Sequence, residues 1–140
     1  MRHLEITEMM IRQSKEIWGL LEPGEFILEP GDWIFIENLS NSGFLCLIDL
    51  FYREYPDIGI SPSGPNDRIY KNDECRPIFS FTHCLDLLQK RGLFYSISHL
   101  HGDLVRMKVL LPGDKVLNAI GINYHECAQA VLLKVLKGGE

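Results

Sequence analysis

The second half of the chain switches between two hydrophobic periods. From Phe81 to Arg91, apolar residues fall at Phe81, Cys84, Leu85 and Leu88, the i, i+3, i+4, i+7 spacing of a helix with one buried face. Ser80 is placed to cap its start and Gly92 to end it. The period then becomes two: Leu93, Tyr95 and Ile97 alternate with Phe94, Ser96 and Ser98. After His101-Gly102-Asp103 it resumes as Val105, Met107 and Val109 against Arg106 and Lys108. Pro112-Gly113-Asp114 turns the chain into a third strand, Lys115 to Gly121. Asn123, with Glu126 three residues on, is a variant capping box that opens a helix from Tyr124 to Leu136, which Gly138 can end.

The first half is less regular. Leu4 to Trp18 places Ile6, Met10, Ile17 and Trp18 near helical spacing, with Thr7, Glu8, Arg12, Lys15 and Glu16 for a wet face. A tandem duplication follows, Leu21-Glu22-Pro23-Gly24-Glu25-Phe26-Ile27 and then Leu28-Glu29-Pro30-Gly31-Asp32-Trp33-Ile34. Each copy reads as a Pro-Gly turn feeding a strand start, and two copies are too few for a solenoid. Trp33 to Glu37 and Phe44 to Tyr52 read as strands of a hairpin across the turn-rich 38–43 segment. Between Pro56 and Asp73 prolines and glycines crowd together, which predicts a long loop, with Arg68-Ile69-Tyr70 able to add a short strand.

The expected fold is therefore α+β. Residues 1–75 hold an N-terminal helix, a β-hairpin and the long loop, and residues 76–140 hold an α-β-β-β-α unit with both helices on one face of an antiparallel sheet. The two parts are small enough to share one core. In the second part Tyr95, Ile97, Val105, Met107 and Val109 should meet Phe81, Leu85, Leu88, Cys127, Val131 and Val135. The other side of that sheet mixes Arg106 and Lys108 with Leu104, Leu110 and Phe94, so it is expected to be covered, with the acidic hairpin its nearest complement.

Composition narrows the function classes. Of 140 residues 46% are hydrophobic and 24% charged, enough for a real core. No apolar run approaches the eighteen residues that span a bilayer, and the start lacks the apolar block of a secretion signal, so no membrane association and a cytoplasmic location are expected. Cys46, Cys75, Cys84 and Cys127 are 29, 9 and 43 residues apart, which fits neither a disulfide framework nor a zinc ribbon. The formal charge is −5, with 14 acids against 7 bases in residues 1–80 and 5 against 7 in residues 81–140. That balance disfavours non-specific nucleic-acid binding, while Lys90, Arg91, Arg106, Lys108 and Lys115 make the second half mildly basic.

One motif has a chemical look. His99-Leu100-His101-Gly102-Asp103 resembles the first half of the His-x-His-x-Asp-His zinc motif of the metallo-β-lactamase family, which makes His99, His101 and Asp103 candidate metal ligands. Leu104 stands where that family has its last ligand, and 36 residues follow it. The alternative is a polar hairpin turn in which Gly102 supplies a positive φ and Asp103 bonds local backbone. No phosphate-binding loop, dinucleotide fingerprint, nucleophile elbow or His-Glu-x-x-His occurs, and His83-Cys84 and His125-x-Cys127 do not pair on a helix. No catalytic residue and no cofactor is expected.

The helix, three-strand, helix order of residues 80–137 resembles the double-stranded-RNA-binding domain, and Ala128, Ala130 and Val131 give the last helix a similar small-residue character. The lysine cluster that carries RNA binding in that family is replaced here by Tyr124-His125-Glu126, and the first lysine of the helix is Lys134. Residues 28–137, through Gly31-Asp32-Trp33, Pro77 to Phe81 and Cys127 to Leu132, also look like small proteins of phage and prophage genomes, which implies a mobile-element origin. The expected function is a small non-enzymatic interaction or assembly module with a protein partner or a second copy of itself. The alternatives are a nucleic-acid-binding module using the basic second half and, behind it, a metal-dependent hydrolase.

Overall fold

The computed structural model describes residues 6–29, 31–37, 43–52, 59–62, 70–71 and 75–138. It is an α+β fold of three helices and two antiparallel sheets. The elements in chain order are α1 (Glu8–Leu20), β1 (Trp33–Glu37), β2 (Gly43–Tyr52), β3 (Gly59–Pro62), β4 (Tyr70–Lys71), β5 (Cys75–Pro77), α2 (Phe81–Lys90), β6 (Phe94–His99), β7 (Val105–Leu111), β8 (Lys115–Gly121) and α3 (Tyr124–Leu136). No described helix is long and apolar enough to cross a membrane.

The chain forms two compact units, Met1–Pro23 with Phe79–Glu140, and Gly24–Ile78. This division differs from one at residue 75, because α1 packs against α3. The unit 24–78 is thus an insertion in sequence between α1 and α2. It is a five-stranded sheet in the order β4-β3-β2-β1-β5, with β1 and β2 paired as expected, Trp33 opposite Leu47 and Glu37 opposite Gly43. Two strands were not legible: β3 lies within the glycine- and proline-rich stretch and β5 ends in Pro77. Both are recruited by longer neighbours. Gly59–Pro62 lines up on β2, where Pro62 opposes Ile48, and β4 pairs only with Gly59 and Ile60, so no ladder bond is asked of the proline from that side. The short strand expected at 68–70 is seen at Tyr70–Lys71, and residues 68 and 69 lie outside the described residues.

Of the duplicated turns, only the second feeds a strand. Gly24 and Gly31 both have positive φ, 83° and 95°, as Pro-Gly turns of this type require. Asp32 N–H closes the second turn on Glu29 O at 3.1 Å, and the Asp32 carboxylate accepts Glu29 N–H at 2.9 Å. Trp33 onward then has β2 on one side and β5 on the other, whereas Phe26 and Ile27 are not in a strand. Ile34 and Ile78 are buried in this unit, with Ile78 N–H bonded to Trp33 O at 2.9 Å.

In the other unit α3 is the central element. It lies on β7 and β8 and also packs against α1 and α2. Its buried residues accordingly run almost round the helix: Glu126, Cys127, Ala128, Gln129, Val131, Leu132 and Leu133. A helix covered on several sides cannot be amphipathic, and the consecutive Val131-Leu132-Leu133 is its sequence mark. The approach to the sheet is close. A Cβ on Gly121 would stand 2.7 Å from Cys127 N, so only glycine fits at the end of β8. On α2 the buried residues are Cys84, Leu87 and Leu88, so Leu87 is buried where Leu85 was expected to be.

Helix α1 begins at Glu8, later than the hydrophobic pattern predicts, because Thr7 Oγ1 accepts Met10 N–H at 3.2 Å and caps it there. Its buried face includes the polar Gln13 and Ser14 beside Met10 and Ile17. Ser14 Oγ accepts Phe79 N–H at 3.0 Å and a bond from Gln129 Nε2 at 3.1 Å, while Gln129 Nε2 also donates to Phe79 O at 2.6 Å. Gln13 Nε2 donates to Glu126 O at 3.1 Å. Removing a buried partner leaves a desolvated donor behind, at a cost of about 1–3 kcal/mol. Ser14→Ala is expected to destabilise the protein by that amount in chemical denaturation, while Arg12→Ala on the exposed side of the same helix changes stability by less than about 0.5 kcal/mol.

Candidate interaction surface

The metal-ligand candidates do not converge. His99 ends β6, while His101 and Asp103 lie in the turn that follows, all three exposed. Gly102 has φ 72° and Leu100 N–H bonds Leu104 O at 2.8 Å, which is the hairpin-turn geometry. The i, i+2 relation that would set two imidazoles on one side holds only within a strand, and β6 stops at His99. The His99 ring turns instead to Tyr124: its Nε2 is hydrogen-bonded to the Tyr124 hydroxyl at 2.5 Å, with the rings edge to face. Among the described residues no group of three or more His, Cys, Asp and Glu side chains is arranged to hold a metal ion.

Cys84 and Cys127 are buried free thiols. Burial pushes both upward in pKa, which keeps them protonated and poorly nucleophilic. Cys127 Sγ shares its weak donor between Val105 O and Ala119 O, each at 3.3 Å, so it acts as a packing residue at the close approach of α3 to the sheet.

Two histidines that the sequence did not mark have defined jobs where the N-termini of α2 and α3 meet. His83 takes the third position of a capping box: Ser80 Oγ accepts His83 N–H at 3.3 Å and His83 Nδ1 accepts Ser80 N–H at 3.2 Å. His125 Nδ1 accepts Phe81 N–H at 2.8 Å across to the other helix, and Tyr124 stacks edge-on against Phe81. The one available signal was Ser80-x-x-His83, an imidazole where the usual box has a carboxylate or amide. Both Nδ1 atoms must be unprotonated to accept these bonds. Burial, and then the charge of His83, hold His125 below the ordinary imidazole pKa.

The broadest unclaimed feature is the outer face of the three-stranded sheet, the side away from α3. Register places its side chains in three rows: Phe94, Leu110 and Val116; Ser96, Lys108 and Asn118; Ser98, Arg106 and Ile120. These nine residues include two cations and no carboxylate. Phe94 is 76% exposed, Val116 50%, Ile120 48% and Leu110 46%. The alternation itself explains the arrangement, because the same strands bury Val105, Met107, Val109, Leu117 and Ala119 on the opposite side.

No protein-family model, curated protein or solved structure matches the chain.

The imidazole caps make acid stability testable. His125 takes up its proton less readily in the folded than in the unfolded chain, so its contribution is complete above about pH 6.5 and is lost as pH falls through the depressed folded value. Thermal melts are expected to shift downward between pH 7.5 and pH 5. His125→Phe, which keeps a ring but removes the acceptor, should cost about 1–2 kcal/mol at neutral pH and flatten part of that slope.

Proposed function

We propose that this chain is a non-enzymatic interaction module that engages a protein partner through the outer face of β6, β7 and β8. The observation that carries this reading is the contiguous row Phe94, Leu110 and Val116 standing in solvent beside Lys108 and Arg106. Scattered exposed apolar residues are ordinary on any protein, but an aromatic and several aliphatic side chains adjoining on one rigid sheet make a patch. An aromatic anchor at an apolar centre with cations beside it is how interface cores and rims are built. The imidazoles of His83, His99 and His125 are engaged in bonds within the fold.

A second reading uses the same face. Phe94 beside Lys108, with Ser96, Ser98 and Asn118 as hydrogen-bonding neighbours, also suits a stacked base and a phosphate of single-stranded nucleic acid. The formal charge of −5 works against it at long range. A gel shift with single-stranded DNA and RNA at low salt separates the two, since counterion release makes any such binding strongest there.

The test is a comparative affinity capture from host cells with the full chain and with Phe94→Ser/Leu110→Ser. Both substituted side chains are exposed, so the melting temperature is expected to stay within about 2 °C of the parent. Burying an apolar side chain of this size contributes about 1.5–3 kcal/mol, so the double variant should weaken a partner recovered with the parent by at least tenfold. A partner retained undiminished by the folded variant would place the contact elsewhere.

A further inference from the structure

We propose that a second copy of this chain joins the three-stranded sheet at β6, strand against strand and antiparallel, about a two-fold axis at Ile97. The inference stands apart from the outer-face reading, because it uses backbone groups at the sheet's edge.

The two edges of the sheet are unalike. Along β8 the Lys134 ammonium donates to Asn118 O at 2.6 Å, which places a cation over that edge. Lysines so placed are a common means of blocking strand addition. Along β6 the sequence Phe94-Tyr95-Ser96-Ile97-Ser98-His99 contains no lysine, arginine, carboxylate or proline.

The hydrogen-bond parity of β6 follows from one contact. Leu100 N–H bonds Leu104 O at 2.8 Å, so these two residues form a hydrogen-bonded pair. Antiparallel pairs alternate, and the register then makes Ser98 with Arg106, Ser96 with Lys108, and Phe94 with Leu110 hydrogen-bonded pairs too. The N–H and C=O groups of Tyr95, Ile97 and His99 therefore point away from β7. Among the described residues no strand pairs with that edge. The helix-side layer thins at the same place: Val105, Met107 and Val109 on β7 are buried, while their neighbours Ile97 and Tyr95 are half-buried and His99 is exposed.

The strand's own sequence is the occupant that fits. Centred on Ile97, Tyr95 of one copy meets His99 of the other and Ile97 meets Ile97. That makes three pairs, each exchanging both backbone bonds, for about six in all. Tyr95, Ile97 and His99 of both copies fall on one side and Ser96 meets Ser98 on the other, so the faces match. No charge meets a like charge. A shift that set Ile97 against Ser96 or Ser98 would bring outward groups against residues already bonded to β7. Centring on Ser96 would place His99 against Leu93, outside the strand. The Ile97 register uses every outward group of β6 and joins two sheets into one of six strands, the mode of strand addition to an open edge.

The test uses the full chain across a range of concentrations, with mass by light scattering and amide hydrogen exchange read residue by residue. The mass is expected to rise from 16.1 kDa toward twice that value. The amides of Tyr95, Ile97 and His99 should gain protection by tenfold or more as it does, while those of Ser96 and Ser98, already bonded to β7, stay unchanged. Ile97→Lys sets two ammonium groups across the axis, and Ile97→Pro removes an outward N–H without touching a bond to β7. Each should return the chain to 16.1 kDa. A parent that stays monomeric at the highest concentration overturns the proposal. So does a dimer in which those three amides exchange as fast as in the monomer, an outcome that needs no variant to fold.

Discussion

The fold of the helical unit depends on one buried knot of hydrogen bonds, in which the Ser14 hydroxyl sits between the Phe79 amide and the Gln129 carboxamide. It joins three segments far apart in sequence, Ser14 and Phe79 being separated by 65 residues and Ser14 and Gln129 by 115. Apolar packing is non-directional, so Met10 and Ile17 alone would hold α1 against its neighbours without fixing its register. The knot supplies direction. Phe79 is bonded at both its N–H and its C=O, which sets the residue before the Ser80 cap and hence where α2 begins. The low dielectric that strengthens each bond also penalises each loss, and one acceptor of the knot, the buried Gln129 Oε1, has no hydrogen-bond partner among the described residues.

From that fixed start the junction of the helix N-termini follows. Ser80 and His83 close a box on each other, and His125 reaches from α3 to the next free amide, Phe81. The first turns of two helices thus satisfy their orphan donors with side chains of each other and of themselves. The consequence for chemistry is direct. Nδ1 atoms of two histidines that elsewhere serve as bases are acceptors for backbone, and the His99 ring is bonded to Tyr124. The side of the sheet that the helices do not cover keeps Phe94, Leu110, Val116 and Ile120 exposed.

The elements of the second half were legible because each boundary has a local cause. Ser80 and Asn123 cap as expected, and Gly92, Gly102 and Gly113 take the positive φ that their turns need. What escaped was tertiary. Gln13 and Ser14 carry no core signal in the sequence, because polar side chains on a helix usually face water, and only partners more than sixty residues away make them core. The strands β3 and β5 carry no period of their own and exist by pairing. The packing of α1 on α3 was not legible for the same reason, since hydrophobic spacing says that a helix has a buried face and not what covers it. His99, His101 and Asp103 misled through spacing that was valid only if the strand continued. The outer face, by contrast, was written in the alternation, with Phe94, Arg106, Lys108 and Leu110 opposite the buried positions.

Charge is divided along the same lines as the fold. Residues 24–78 hold 10 acids against 4 bases, while residues 1–23 and 79–140 together hold 9 acids against 10 bases. The net −5 therefore belongs to the inserted unit, and the helical unit is close to neutral. Screening at physiological salt confines the influence of a surface charge to about 8 Å. Within the helical unit the cations on the outer face of the sheet are Arg106 and Lys108, close to the apolar row. The acidic excess of residues 24–78 thus sets the chain's net charge and long-range steering, whereas the alternation of three strands sets which side chains the outer face presents.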